Sequence, residues 1–241
     1  MASVSRKVAD ATWSAAAHVP VGDAVFVADR SGALWWPDAD TLIVADLHLE
    51  KGSSFARRGA FLPPYDSRTT LRLLGDAIDR YAPRAVWLLG DSFHDREGMA
   101  ALGAEERRTL GSLQRGRTWV WVTGNHDPEI APWLGGEIVG GFEKAGICFR
   151  HEPTGSGAPE IAGHLHPVAK LIRHGRGLRR RCFVTDGCQL VLPAFGAFTG
   201  GLNICDPTFL ALFGSETPAV GVWMLGQDAV YPVSARDLRG D

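Results

Sequence analysis

The chain has 241 residues, 45% of them hydrophobic and 22% charged, which suits one domain with a substantial core and excludes a disordered or fibrous chain. A formal net charge of -2 excludes nucleic-acid binding through overall basicity, so such a role would rest on local clusters of arginine. No stretch approaches the ~20 apolar residues of a membrane span, the first residues lack the apolar run of a signal peptide, and Cys148, Cys182, Cys188 and Cys205 form no Cys-x-x-Cys pair. The expectation is a cytoplasmic protein with reduced thiols.

Residues 24–28 and 33–36 are apolar runs on either side of Asp29-Arg30-Ser31-Gly32, which predicts a hairpin. Residues 41–45 are wholly apolar and predict a strand buried on both faces, ending at Asp46. Residues 64–81 predict a helix with Asp66 as its N-cap, Leu71, Leu74 and Ile78 on one face, and Pro83 as its stop. A strand at 85–89, a charged helix at 104–114 and a strand at 118–122 follow. This alternation implies right-handed crossovers and a largely parallel sheet. After Pro132 come short strands at 137–142, 147–151, 159–162, 168–173, 181–185, 189–192, 220–224 and 228–233, with few helical patterns. They imply a second, more antiparallel sheet. The predicted class is α/β, an α+β sandwich of two mixed sheets packed face to face and flanked by helices. One domain is expected over residues 1–241, with residues 1–20 loosely ordered, a ligand core at 41–167 and a flexible loop at 154–159.

Six of the eight histidines fall in five motifs: Asp46-Leu47-His48, Gly90-Asp91-Ser92-Phe93-His94, Gly124-Asn125-His126-Asp127, His151-Glu152 and Gly163-His164-Leu165-His166. Asp46, Asp91 and Asn125 each lie just past a predicted strand, at the carboxyl edge where open α/β sheets gather ligands. The glycines at 90, 124 and 163 are expected to let the backbone turn sharply there. A single His or Asp after a strand is usually a cap or a satisfied polar group; five such motifs in order are not accounted for in that way. This order of ligand types fits a pair of divalent cations, which neutralise a phosphate ester's oxygens and generate hydroxide near neutral pH for in-line attack on phosphorus.

On these residues the chain resembles the calcineurin-like metallophosphoesterase superfamily over roughly residues 24–200. Within it the chain is most similar to the DNA ligase-associated metallophosphoesterases. The resemblance is carried by Ala-Asp-Leu-His-Leu-Glu-Lys-Gly at 45–52, Gly-Asp-Ser-Phe-His at 90–94, His-Glu-Pro at 151–153, Gly-His-Leu-His-Pro at 163–167 and Leu-Pro-Ala-Phe-Gly-Ala-Phe-Thr-Gly-Gly at 192–201. The broad superfamily usually has Gly-Asp-x-x-Asp; His94 departs from that pattern in agreement with the ligase-associated group and away from protein phosphatases and cyclic-nucleotide phosphodiesterases. The resemblance implies one metal held by Asp46, His48 and His166, a second held by Asn125, His151 and His164, and Asp91 bridging them. Mixed oxygen and imidazole donors suit Mn²⁺ first, with Fe or Zn²⁺ as alternatives. By the same resemblance His126 stabilises the transition state or protonates the leaving oxygen, and Asp127 orients its imidazole. His94 either meets the phosphate or leaving group or hydrogen-bonds Asp91.

The resemblance further implies manganese-dependent cleavage of DNA, chiefly single-stranded, in repair, with a DNA ligase, a helicase and an exonuclease as functional partners. The residues themselves leave the substrate open. Arg57 and Arg58, and Arg173, Arg176, Arg179, Arg180 and Arg181 with His174, could follow a phosphate backbone, or the second group could be a solvated hairpin. Trp13, Trp35, Trp36 and Trp133 could stack on bases or belong to the core. A small phosphoester substrate and a non-catalytic scaffold are the rival readings. Monomer and homodimer both stay open, the apolar tail 219–233 serving either a dimer or the core.

Overall fold

A computed structural model describes residues 17–57, 59, 65–173, 175–214 and 221–241. Its first sheet comprises β1 (Ala17–Val21), β2 (Ala24–Ala28), β3 (Leu34–Trp36), β4 (Thr41–Val44), β5 (Ala85–Leu89), β6 (Thr118–Val122) and β7 (Glu137–Val139), hydrogen-bonded in that order. β1 to β4 run antiparallel, and β4 to β7 run parallel. The second sheet comprises β8 (Phe142–Lys144), β9 (Ile147–Phe149), β10 (Glu160–Ala162), β11 (Pro167–Arg173), β12 (Arg176–Thr185), β13 (Gln189–Val191), β14 (Leu202–Asn203), β15 (Gly221–Leu225) and β16 (Val230–Val233). The helices are α1 (Lys51–Arg57), α2 (Asp66–Tyr81), α3 (Arg96–Ala101), α4 (Ala104–Gln114) and α5 (Pro207–Phe213).

The burial pattern explains the all-apolar strands. Alternate residues of β4 serve two cores. Ile43 joins Phe26, Trp87, Phe149, Ile161 and Phe183 between the sheets. Leu42 and Val44 join Leu71, Leu74 and Ile78 of α2 on the outer face. β12 divides likewise, with Phe183 facing inward and Cys182 and Val184 packing with Phe209 of α5. Each such Phe or Leu contributes about 1.5–3 kcal/mol by leaving water, which is why two-sided burial tolerates so few polar residues. The sandwich of two mixed sheets flanked by helices is as expected, and the parallel pairing predicted from the strand–helix alternation covers β4 to β7.

Several boundaries differ from the sequence reading. Ala17–Val21 is a strand where loose order was expected, and residues 1–16 lie outside the described residues. The run 137–142 is two strands in different sheets, separated at Gly140-Gly141. β12 begins at Arg176, five residues before the predicted strand start at 181. Asp66 is the first residue of α2, not its cap; its carboxylate instead accepts from the Gly52 amide of α1 at 2.8 Å. Trp35 and Trp36 are core residues, stacked on Tyr81 and Phe149. Trp133 is half exposed beneath the Arg107 guanidinium, and Trp13 lies outside the described residues. β15 and β16 extend the second sheet from β12, with Val222 and Met224 buried, which gives this part of the tail a core role. Among the described residues no helix is long and apolar enough to cross a membrane.

Candidate metal centre

The parallel strands β4, β5 and β6 end level with one another, so Asp46, Asp91 and Asn125 leave the same edge of the first sheet. β9 and β10 are also parallel and deliver His151 and His164 from the second sheet. Backbone hydrogen bonds hold the loops side by side. The Asp46 amide donates to Gly90 O at 3.1 Å and the His48 amide to Asp91 O at 2.9 Å. The two sheets join where the His164 amide donates to the Asp46 carboxylate at 2.9 Å.

Two glycines have a role other than the expected one. Gly124 and Gly163 do not adopt the left-handed backbone; a Cβ on Gly124 would lie 2.2 Å from Asp91 Oδ1, and one on Gly163 2.5 Å from Asp46 Oδ2. They let a second chain segment touch the carboxylates. The left-handed backbone falls instead on the candidate ligands, with φ of 55° at Asp46, 45° at His48, 46° at Asp91, 70° at His164 and 46° at His166. For a non-glycine residue this conformation is uncommon and strained, and such strain gathers at functional sites.

The structure brings the seven candidate ligands together. Asp46, His48 and His166 place one donor atom each within 4.8 Å of one another, and so do Asp91, His151 and His164. Asn125 Oδ1 lies 2.9 Å from His151 Nε2, beside the second group. Asp91 Oδ2 stands between the groups, 3.3 Å from His151 Nε2 and 3.9 Å from His48 Nε2. His151 Nδ1 meets the Leu89 carbonyl at 3.0 Å, so that nitrogen carries a proton and Nε2 is the atom turned toward Asn125 and Asp91, where a cation would replace its proton. His48 and His166 turn Nε2 atoms toward each other at 3.1 Å, an approach that two lone pairs tolerate only with a proton or a cation between them.

The charge balance also asks for cations. Burial disfavours a charged His151, yet Asp91 and Asp46 outweigh it and raise this imidazole to about 9. Burial opposes ionisation of Asp91 too, but His151 and the His126 amide pull it down to about 2. Burial, reinforced by His166, drives His48 down to about 2. Two buried carboxylates, Asp46 and Asp91, thus draw positive charge into this space, and the set of carboxylate, amide and imidazole donors fits two borderline divalent ions.

His126 is exposed; its Nδ1 meets the His94 carbonyl at 2.8 Å, and its Nε2 is 4.0 Å from Asp91 Oδ2. Its ring stacks on that of His94 at 5.3 Å, and both approach His48 edge-on. The expectation that Asp127 orients His126 is corrected. Asp127 is fully buried and accepts from the amides of Asp91, Phe93 and Gly124 at 3.1, 3.1 and 2.9 Å, tying two loops together. Burial lifts its carboxyl to about 6 against the pull of these amides.

Of the four candidate phosphate-binding arginines, Arg57 pairs with Asp95 and Glu97 at 2.9 Å, beside a cavity that His126 lines. Arg176 is exposed at the start of β12, Arg58 lies outside the described residues, and Arg173 occupies the end of β11. Arg176, Arg179 and Arg180 are exposed along β12, which pairs antiparallel with β11. Arg96 and Arg150, which stand in no arginine cluster of the sequence, line two cavities that share Asn125.

Residues 39–186 match the family model described as calcineurin-like phosphoesterase. The chain belongs to that family. Its metallophosphoesterase members use a dinuclear metal site, and the chain is accordingly a hydrolase of phosphoester bonds. Among solved structures the phosphoesterase is similar to the crystal structure of Pseudomonas putida nuclease MPE, with 26% identity and a TM-score of 0.69, over 90% of this chain and 100% of that one. No curated protein matches it.

Proposed function

We propose that the chain is a two-metal phosphodiesterase of the DNA ligase-associated group that cuts DNA internally, single strands above all, in a repair setting. The observation that carries the reading is a pair of cavities, about 610 and 600 Å³, that both reach Asn125. Arg150 and His151 line one, and Arg96 and His126 line the other. A phosphomonoester needs room on one side of phosphorus, whereas a diester within a strand needs room on both. A nuclease among its structural neighbours supports the same reading.

Asp46, His48 and His166 would hold one cation and Asn125, His151 and His164 the other, with Asp91 shared. When bound, the pair supplies Lewis-acid stabilisation and an acidified water, and Mn²⁺ suits the mixed donors best. His126, fixed by the His94 carbonyl, presents Nε2 at the open edge of the site, where it can donate a proton to the leaving sugar oxygen. His94, stacked on it, fixes the plane of that imidazole. A ligase, a helicase and an exonuclease are the functional partners expected of this reading, in the cytoplasm, with the chain as monomer or homodimer.

Acidic residues favour a second reading on small phosphodiesters. Glu152 lines one cavity and Asp95 and Glu97 the other, against a long polyanion. The deciding assay supplies Mn²⁺ and compares circular single-stranded DNA with a small chromogenic diester. Opening of the circle is the expected result; hydrolysis of the small diester alone, at every salt concentration, rejects the nuclease. Asp91→Ala should abolish turnover, since losing the shared ligand removes several kcal/mol of stabilisation, roughly 10³-fold in rate or more.

A further inference from the structure

The motif at residues 192–201 contributes no ligand, yet it lies against the ligand loops as a strap. The Phe195 amide donates to Ala45 O at 2.9 Å, the Gly196 amide to Asp46 O at 3.1 Å and the Leu202 amide to His166 O at 3.1 Å. Contact is so close that a Cβ on Gly196 would lie 2.3 Å from the Leu47 carbonyl oxygen. The strap thus grips the backbone of Asp46 and His166, two ligands of one group, at positions where that backbone is left-handed.

Arg181 of β12 anchors the strap. Its Nη1 donates to three successive carbonyls, Ala194 at 2.6 Å, Phe195 at 3.3 Å and Gly196 at 3.1 Å. Three carbonyl oxygens that converge on one point repel one another, and the N–H groups of this one charged nitrogen offset that repulsion. Among the described residues no carboxylate pairs with Arg181, so its charge is balanced by these carbonyl dipoles. In the second ligand group His151 is fixed apart from the strap by the Leu89 carbonyl, while His164 is tied to the first group by its amide on the Asp46 carboxylate.

We propose that Arg181 is a positioning residue that sets the cation affinity of the Asp46–His48–His166 half-site through the strap, and affects the Asn125–His151–His164 half-site much less, through His164 alone. The proposal rests on the two-cation reading above. Its test is calorimetric titration of Mn²⁺ into metal-free protein, with electron paramagnetic resonance to separate a coupled pair from isolated ions. The parent should bind two ions. Arg181→Met should weaken one of them about 10–100-fold, as loss of an outer hydrogen-bond partner does, so that the coupled-pair signal gives way to that of isolated Mn²⁺ at concentrations that saturate the parent. Arg181→Lys, which keeps donors for the carbonyls, should recover most of that loss; if the Met variant does not fold, the Lys variant should still show weakening mainly of one ion. Two ions bound by the variants with parental affinities, or both weakened alike, would overturn the role of Arg181 while sparing the two-cation reading. A parent that binds a single ion overturns both.

Discussion

His126 and Asp127 are adjacent in sequence, one exposed and the other fully buried, and they should fail differently when changed. His126→Ala should lower kcat about 10²–10⁴-fold, the range for a general acid, with Mn²⁺ binding and thermal midpoint unaltered. Asp127→Asn should act on stability, because an amide nitrogen would face the amides that the carboxylate now accepts; the loss should be about 3 kcal/mol or more, read by denaturant unfolding in chelator. A His126→Ala variant with parental kcat, or a fully stable Asp127→Asn, would contradict these assignments. The candidate ligands were legible because few side chains bind cations and their order along the chain is constrained. The role of Asp127 was not, since hydrogen bonds to backbone amides leave no mark on the sequence of the partners they hold.

Among the elements, β4, β5 and β6 could be read from apolar runs because both faces are buried, whereas α1 and α3 could not. α1 begins Lys-Gly-Ser-Ser, a poor helical sequence, and depends on Asp66 receiving the Gly52 amide from another helix. α3 is only six residues long, too short for a period to register. α5 did carry a signal, Asp206 as N-cap followed by Pro207 at the first helical position. Tertiary ties of the same kind fasten α2 to the β2–β3 hairpin, where buried Asp29 accepts from Arg80 Nη1 at 2.7 Å and Tyr81 OH at 2.8 Å. Burial alone would raise the Asp29 carboxyl, but donation from Ser31, Arg80 and Tyr81 prevails and lowers it below the ordinary value. Its contribution to stability is therefore complete above the unfolded pKa of about 3.9 and is lost as pH falls from there through the folded value. The metal-free protein should lose thermal midpoint over that acid range, and Asp29→Asn should flatten that part of the profile. Equal slopes in parent and variant would show that other carboxylates govern it.

At the scale of the molecule, the net charge of -2 and the acidic residues in both cavities limit how many phosphates the surface can neutralise. If Arg96 and Arg150 are the two basic contacts, single-strand affinity should fall with salt at a log–log slope of about -1.4, about -0.7 for each phosphate neutralised. A slope several times steeper would place the strand along Arg176, Arg179 and Arg180 of the hairpin instead. The common edge of the two sheets could be anticipated for β4, β5 and β6, but the approach of His151, His164 and His166 rests on pairings between distant strands that no local pattern encodes. That division of donors has a consequence for how the protein is made. Asp46, His48, Asp91 and Asn125 leave the ribosome first, His151, His164 and His166 only later, and the strap that grips Asp46 and His166 later still. A growing polypeptide therefore brings the candidate donors together only after residues 192–201 have been made.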